Sequence, residues 1–321
     1  MKRFLAPLIA AAATLCAAGT GLGAPAATEV EWKAEAFRDV IYKQIDGRRI
    51  KMDIYMPTKG KSEKAPVLYY VHGGGWAAGS KAKGGLPLMR PVFEKVAEHG
   101  VVCVSIDYRL FKGRNGVLMR DCLIDAVDGL RFLNENAAKY GIDPDRVVVW
   151  GDSAGGQLAQ MLNFADYSKF RDAGSPAEND IQPIAGISWY GPSDFTIPDL
   201  FKTDLSDKEI NRFGLRITGT DGGYAENPKA YEEMSPYFWI SKDSPPLLSI
   251  QGNKDATIPL AHATHLKEKA EKIGADATFI IVENAGHNWR KVGAAIEPNL
   301  TTIQELTADF ALKQIEAVTS K

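Results

Sequence analysis

Gly151-Asp152-Ser153-Ala154-Gly155-Gly156 sets one hydroxyl between glycines, directly after the apolar run Val147–Trp150. A helix-forming stretch from Ala154 to about Phe164 follows at once. A serine on so sharp a strand-to-helix turn projects its oxygen clear of the backbone, where a carbonyl carbon can reach it. Strand and helix then approach closely, and side chains two places either side of the serine would collide, which explains Gly151 and Gly155. The helix beginning at Ala154 turns its free N–H groups and the positive end of its dipole toward charge developing near Ser153. The chemistry this suits is acyl transfer, with Ser153 as the nucleophile.

Acyl transfer needs donors for the oxyanion. His72-Gly73-Gly74-Gly75-Trp76 follows the apolar strand Val67–Val71, and three glycines in a row cost backbone entropy. Bare N–H groups free to take any orientation account for that cost, each able to lower the barrier by about 3–4 kcal/mol. Gly74 and Gly75 are assigned as donors, with Ala154 as the third. His72 reads as a structural residue that holds the loop, rather than as a base. Asp152 reads as a hydrogen-bonding partner of the same loop.

Three histidines lie downstream of Ser153: His262, His265 and His287. The first two share a helical stretch at i, i+3 spacing, which could suggest a metal pair, but no cysteine or third histidine accompanies them, and a solvated helix face is the simpler reading. His287 follows the last expected strand, Phe279–Val282, in a loop placed for a base at the carboxyl edge of a sheet. The acid that orients it is assigned to Asp255, in the polar turn after the strand Leu247–Ile250. Glu283 is the rival, being near His287 in the chain. Asp255 is preferred because its turn directly after a strand delivers a carboxylate to the same sheet edge as His287.

The elements that must hold these groups alternate. An opening hairpin is expected from Val40–Tyr42 and Ile50–Tyr55 about Asp46-Gly47. Strands follow at Val67–Val71, Val101–Ile106, Arg146–Trp150, Ile184–Trp189, Leu247–Ile250 and Phe279–Val282. Helices are expected at Pro91–Glu98, Leu118–Lys139, Ala154–Phe164, Ala261–Lys272 and Thr302–Val318. This predicts an α/β fold, a mostly parallel central sheet with helices on both faces. The aromatic-, glycine- and charge-rich stretch at about 195–239 breaks the rhythm and is expected as a cap-like excursion over the carboxyl edge.

Composition bounds the rest. Met1-Lys2-Arg3 and the apolar run Phe4–Ala18 have the layout of a secretory signal peptide over 1–26, with cleavage at about 24–26, too short for a comfortable membrane span. Residues 27–321 are then expected as one α/β domain, exported to the periplasm or the exterior, with no membrane attachment in the mature form. The formal net charge is −2, and losing Lys2 and Arg3 leaves −4, which argues against nucleic acid as a partner. Cys103 and Cys122 are expected as buried free thiols, with a disulfide as the alternative.

Taken together, these motifs resemble the hormone-sensitive-lipase-like, or family IV, carboxylesterases of the α/β-hydrolase fold. The similarity is closer still to compact bacterial esterases of the acetyl-xylan and feruloyl type. It rests on His72–Trp76, Asp107-Tyr108-Arg109-Leu110, Tyr140–Arg146, Gly151–Gly156, Gly252-Asn253-Lys254-Asp255 and Gly286-His287, and runs from Tyr55 to His287. It implies hydrolysis of small acyl or aryl esters, including those on extracellular polysaccharides, with neither metal nor organic cofactor. The sequence departs from the pattern in two places. The region before Val40 is short for the helical cap of many members, favouring an open site, and Asn288-Trp289 replaces the glycine pattern after the histidine. Trp76, Trp189, Tyr190 and Trp289 are candidates to line a sugar or aryl pocket, with core packing as the alternative. An amide-cleaving hydrolase of the formamidase or dipeptidyl-peptidase kind, and a non-catalytic binding protein on the same scaffold, remain as other readings.

Overall fold

The first two strands form a long antiparallel ribbon, β1 (Ala36–Ile45) against β2 (Arg48–Tyr55), closed at Asp46-Gly47. Both turn residues have positive φ, as the expected hairpin requires. The computed structural model describes residues 32–60, 62–113, 116–177, 180–203 and 213–319, and the expected leader and its cleavage site lie outside them. Residues Glu31–Lys321 form one unit.

Six further strands complete the sheet: β3 (Ala65–Val71), β4 (Val102–Ile106), β5 (Ile142–Asp152), β6 (Ala185–Trp189), β7 (Leu247–Gly252) and β8 (Ala277–Val282). Their order is β1-β2-β4-β3-β5-β6-β7-β8, with β3 to β8 parallel and the β1–β2 ribbon antiparallel at one edge. The helices between them are α1 (Arg90–Ala97), α2 (Met119–Glu135), α3 (Ala137–Tyr140), α4 (Ala154–Phe164), α5 (Gly214–Thr218), α6 (Pro228–Met234), α7 (Leu260–Ile273) and α8 (Leu300–Thr319). The single helix expected over Leu118–Lys139 is broken at Asn136, whose backbone leaves helical values and whose amide caps the Phe132 carbonyl.

Successive strand residues serve opposite faces. Val67, Tyr69 and Val71 pack with Leu123, Val127 and Leu158 from α2 and α4. Leu68 and Tyr70 pack with Val92 and Phe93 of α1 and with Ile303 and Ala311 of α8. Every β3 side chain is buried, the mark of a strand covered on both sides. Cys103 and Cys122 are free and sit in different face clusters, so the disulfide alternative falls away.

One side of the sheet is pinned by buried charge. Lys43 of β1 reaches Asp125 at 2.8 Å and Asp128 at 2.6 Å, both on α2, and Asp172 at 2.9 Å. Arg131 pairs with Asp128 at 2.7 Å and donates to the carbonyls of Tyr167 and Phe170. Removing one member strands its partners without water. Asp128→Ala is expected to lower the unfolding free energy by about 3–5 kcal/mol in a urea melt. Burial pushes the Asp172 carboxyl up, but hydrogen bonds from Lys43 and the Gly174 N–H, with the Lys43 and Arg109 charges, outweigh it and hold it below the usual carboxylate range. Its stabilising share is therefore present above the ordinary aspartate value and lost as pH falls through the lowered one.

Candidate active site

β5 runs into Ser153 and α4 begins at the next residue, so the strand-to-helix turn has no intervening loop. Ser153 has φ +53° and ψ −118°, outside the regions a side chain ordinarily adopts, at a cost on the order of 1–3 kcal/mol. Its own N–H donates to the Trp189 carbonyl at 2.8 Å, tying the turn to β6. A Cβ on Gly151 would strike the Gly155 carbonyl, and one on Gly155 the Val71 carbonyl. The close approach expected from the motif is what excludes side chains there.

The glycine loop is fastened to the same turn. The buried Asp152 carboxylate accepts from Gly73 N–H at 2.8 Å, Tyr70 hydroxyl at 2.6 Å and Lys83 ammonium at 2.5 Å. Gly74 has φ +132° and Gly75 φ +60°, and the Gly74 carbonyl accepts from both Ala77 and Ala78. Both glycines line a cleft of about 540 Å³ beside Ser153, and Ala154 opens α4 directly behind it. His72 stands away from Ser153 chemistry: its Nδ1 donates to the Gly73 carbonyl at 2.8 Å, its ring stacks on Tyr108 at 4.3 Å, and burial pulls it down to about 4. A neutral ring holding the loop is the structural role read from the sequence.

The three remote groups meet. His287 Nε2 lies 2.9 Å from Ser153 Oγ, and Nδ1 lies 2.7 Å from Asp255 Oδ2. A carboxylate can only accept, so Nδ1 carries the proton and Nε2 is left to accept from the serine hydroxyl. Asp255 is fixed from behind, its Oδ1 accepting from the N–H groups of Thr257 at 2.7 Å and Ile258 at 2.9 Å. The His287 ring rests edge-on against Tyr190, centroids 4.8 Å apart. Glu283, the rival acid, bonds instead to the Asn253 amide and bridges to Glu297.

Two sequence expectations are corrected. His262 is not on a solvated face: it is fully buried, its Nδ1 accepting from Ser193 N–H at 3.3 Å with Phe201 4.2 Å from its ring, and burial pulls it down to about 3. His265 pairs with Asp194 at 3.1 Å and stacks on Tyr237. Both hold the excursion onto α7, which local periodicity cannot reveal. Of the four aromatic candidates, Trp76 lines the cleft and Tyr190 is buried against the His287 ring, while Trp189 and Trp289 are core residues, 5.5 Å apart and shielded, with Trp189 bonded to Thr307. Asn288 and Trp289 both adopt φ +58°, which turns Asn288 into the cleft wall and Trp289 inward.

The excursion also adds residues no motif announced. Phe213 and Arg216 of the α5 region form cleft wall, with Lys83, Thr257 and Ile258. Trp76, Phe195, Phe201 and Phe213 form one aromatic cluster that seats this wall. The site expected to be open is therefore walled on that side.

The family model described as BD-FAE matches residues 52–270. The chain belongs to the BD-FAE family. This BD-FAE chain is 29% identical over 237 residues to a probable carboxylic ester hydrolase, LipM, of Mycobacterium tuberculosis, covering 73% of the chain and 52% of LipM. It spans about half the length of the first curated relatives it matches. A truncated carbohydrate esterase from gut microbiota superposes with TM-score 0.74 at 22% identity, covering 89% of this chain and 98% of that one. Esterase 2 of Thermogutta terrifontis, phosphonylated by sarin, superposes with TM-score 0.68 at 26% identity, covering 86% and 94%. The BD-FAE chain thus has the α/β-hydrolase fold of known esterases. Among its described residues no helix is long and apolar enough to cross a membrane.

Proposed function

We propose that the protein is a serine carboxylic-ester hydrolase working through an acyl-enzyme on small acyl or aryl esters, including those borne by extracellular polysaccharides. The observation that carries this is the continuous chain Asp255–His287–Ser153, ending at a cleft. Ser153 Oγ attacks the ester carbonyl as His287 Nε2 takes its proton, and the C–O bond to the alcohol breaks as His287 returns that proton to the leaving oxygen. Water then repeats the sequence, releasing the acid and regenerating Ser153. The N–H groups of Gly74, Gly75 and Ala154 are the proposed oxyanion donors.

A fluorophosphonate probe is expected to add once, on the peptide containing Ser153, and the protein is expected to turn over para-nitrophenyl acetate. Absence of both would remove the proposal, and turnover of peptide anilides or N-formyl amides in preference to esters would redirect it. Residues 27–321 are proposed as the catalytic domain, exported after removal of 1–26 on the strength of the leader-like composition. Sequencing the amino terminus of protein recovered outside the cytoplasm checks this, since an intact Met1 there would contradict it.

A further inference from the structure

Lys83 stands outside both the glycine loop and the Ser153 turn, in the 3-10 turn Lys81–Gly85 that leads from β3 toward α1. That turn is fastened on its own account. Lys81 N–H donates to Asp107 Oδ1 at 2.7 Å, its ammonium pairs with Asp53 at 2.9 Å, and Ser105 Oγ donates to its carbonyl at 2.6 Å. The backbone that carries Lys83 is thus set independently of the side chain's own contact. Its ammonium lies at the cleft wall, 23% exposed, and 2.5 Å from the wholly buried Asp152 carboxylate.

Charge decides what that contact does. Asp152 Oδ1 accepts from the Gly73 N–H and the Tyr70 hydroxyl, both neutral donors. Lys83 is the one cation paired with this carboxylate among the described residues. A buried carboxylate left without a counter-charge takes up a proton or draws in water. Neither is compatible with the packing here, because a Cβ on Gly73 would fall 2.6 Å from Asp152 Oδ2 and 3.0 Å from Ser153 Cβ. Ser153 itself holds φ +53°, a conformation that persists only where its surroundings over-determine it.

Resting on the ester-hydrolase reading, we infer that Lys83 is a positioning residue for the reaction. By neutralising Asp152 it keeps the Gly73 N–H and the Ser153 turn in register, so that the proposed oxyanion donors face the attacked carbonyl. Its ammonium is committed to Asp152 and takes no part in choosing the substrate.

Kinetics on para-nitrophenyl acetate, read in two backgrounds, test this. Lys83→Met is expected to lower kcat about 10–100-fold with KM held within about twofold. The same change made on top of Asp152→Asn is expected to move kcat by less than about threefold, because the charge it serves is already gone. Exchange of the Gly73 amide should quicken about 10-fold in Lys83→Met relative to the amides of β3. Unchanged kcat, a loss confined to KM, or an equal loss in both backgrounds overturns the inference. Where Lys83→Met alone does not fold, a folded, active protein on adding Asp152→Asn upholds it, and failure of the double variant overturns it. The exchange arm separates it from the reading beneath it. Faster Gly73 exchange in Lys83→Met, with a wild type that neither turns over the ester nor takes up a fluorophosphonate, upholds the hold on the loop and sinks the esterase reading. Brisk wild-type turnover, with kcat and exchange unmoved in Lys83→Met, does the reverse.

Discussion

Ser153→Ala is expected to lower kcat on para-nitrophenyl acetate by about 10⁶-fold, with KM changed little. Replacing the hydroxyl removes the oxygen bonded to His287 Nε2 among the described residues, so the acyl-enzyme route is closed rather than slowed. What remains is attack by water on an ester still held against Gly74, Gly75 and Ala154. Donors of that kind retain about 10³–10⁴-fold over the uncatalysed reaction when a triad is disabled. The expected loss corresponds to about 8 kcal/mol of barrier. Folding should be spared, because the N–H of residue 153 still donates to Trp189, and the one group that loses its bond, His287 Nε2, lines the cleft. A residual rate above about a hundredth of wild type, in a protein that melts normally and is free of contaminating esterase, would mean that another nucleophile acts.

Asp255→Asn is expected to cost about 10⁴-fold in kcat, by analogy with the effect of the same change in another serine triad. The geometry gives a specific reason. Asp255 Oδ1 accepts two backbone N–H groups while Oδ2 accepts from His287. An asparagine keeps its oxygen facing the Thr257 and Ile258 N–H groups, because turning its NH2 there would set donors against donors. The NH2 then faces Nδ1, which must accept, and the ring proton moves to Nε2, where it opposes the serine hydroxyl. The stopped-flow rate of phosphonylation at Ser153 should fall in parallel, while thermal stability moves little. Glu283→Gln is the matched control and is expected to stay within about threefold of wild type. A loss under 10-fold in Asp255→Asn would show that the His287 tautomer is not set by this carboxylate.

The parts of the site that could be read from the sequence share one property: each lies in a short turn directly after a strand. Ser153, Asp255 and His287 follow β5, β7 and β8, and the parallel sheet brings those strand ends to one rim whatever the intervening helices do. Gly151 and Gly155 were legible for the same reason, since a steric demand within five residues leaves its mark on residue type. Lys83 and Arg216 carry no such mark. Their place on the cleft depends on how the 3-10 turn at Lys81–Gly85 and the segment 213–239 fold back, which is decided by contacts far apart in the chain, such as Phe213 on Trp76. His262 illustrates the same limit in reverse. Polar residues at helical spacing resemble a wet face, and only Phe201 and Ser193, some sixty to seventy positions earlier, dry it. The break at Asn136 was hidden because a side-chain amide capping its own helix leaves the apolar spacing intact.

One carboxylate has a wider effect than its bonds suggest. Asp152 is the immediate neighbour of the proposed nucleophile Ser153 and also grips the backbone of Gly73, one step from the proposed donors. Thermal wandering of the loop and of the turn is thereby coupled, so that whatever moves one end of a bound carbonyl carries the other along. The proposed alignment between the Ser153 oxygen and the loop N–H groups thus leans on a brace shared by both parts, with the Tyr108 and His72 bonds steadying the loop beside it.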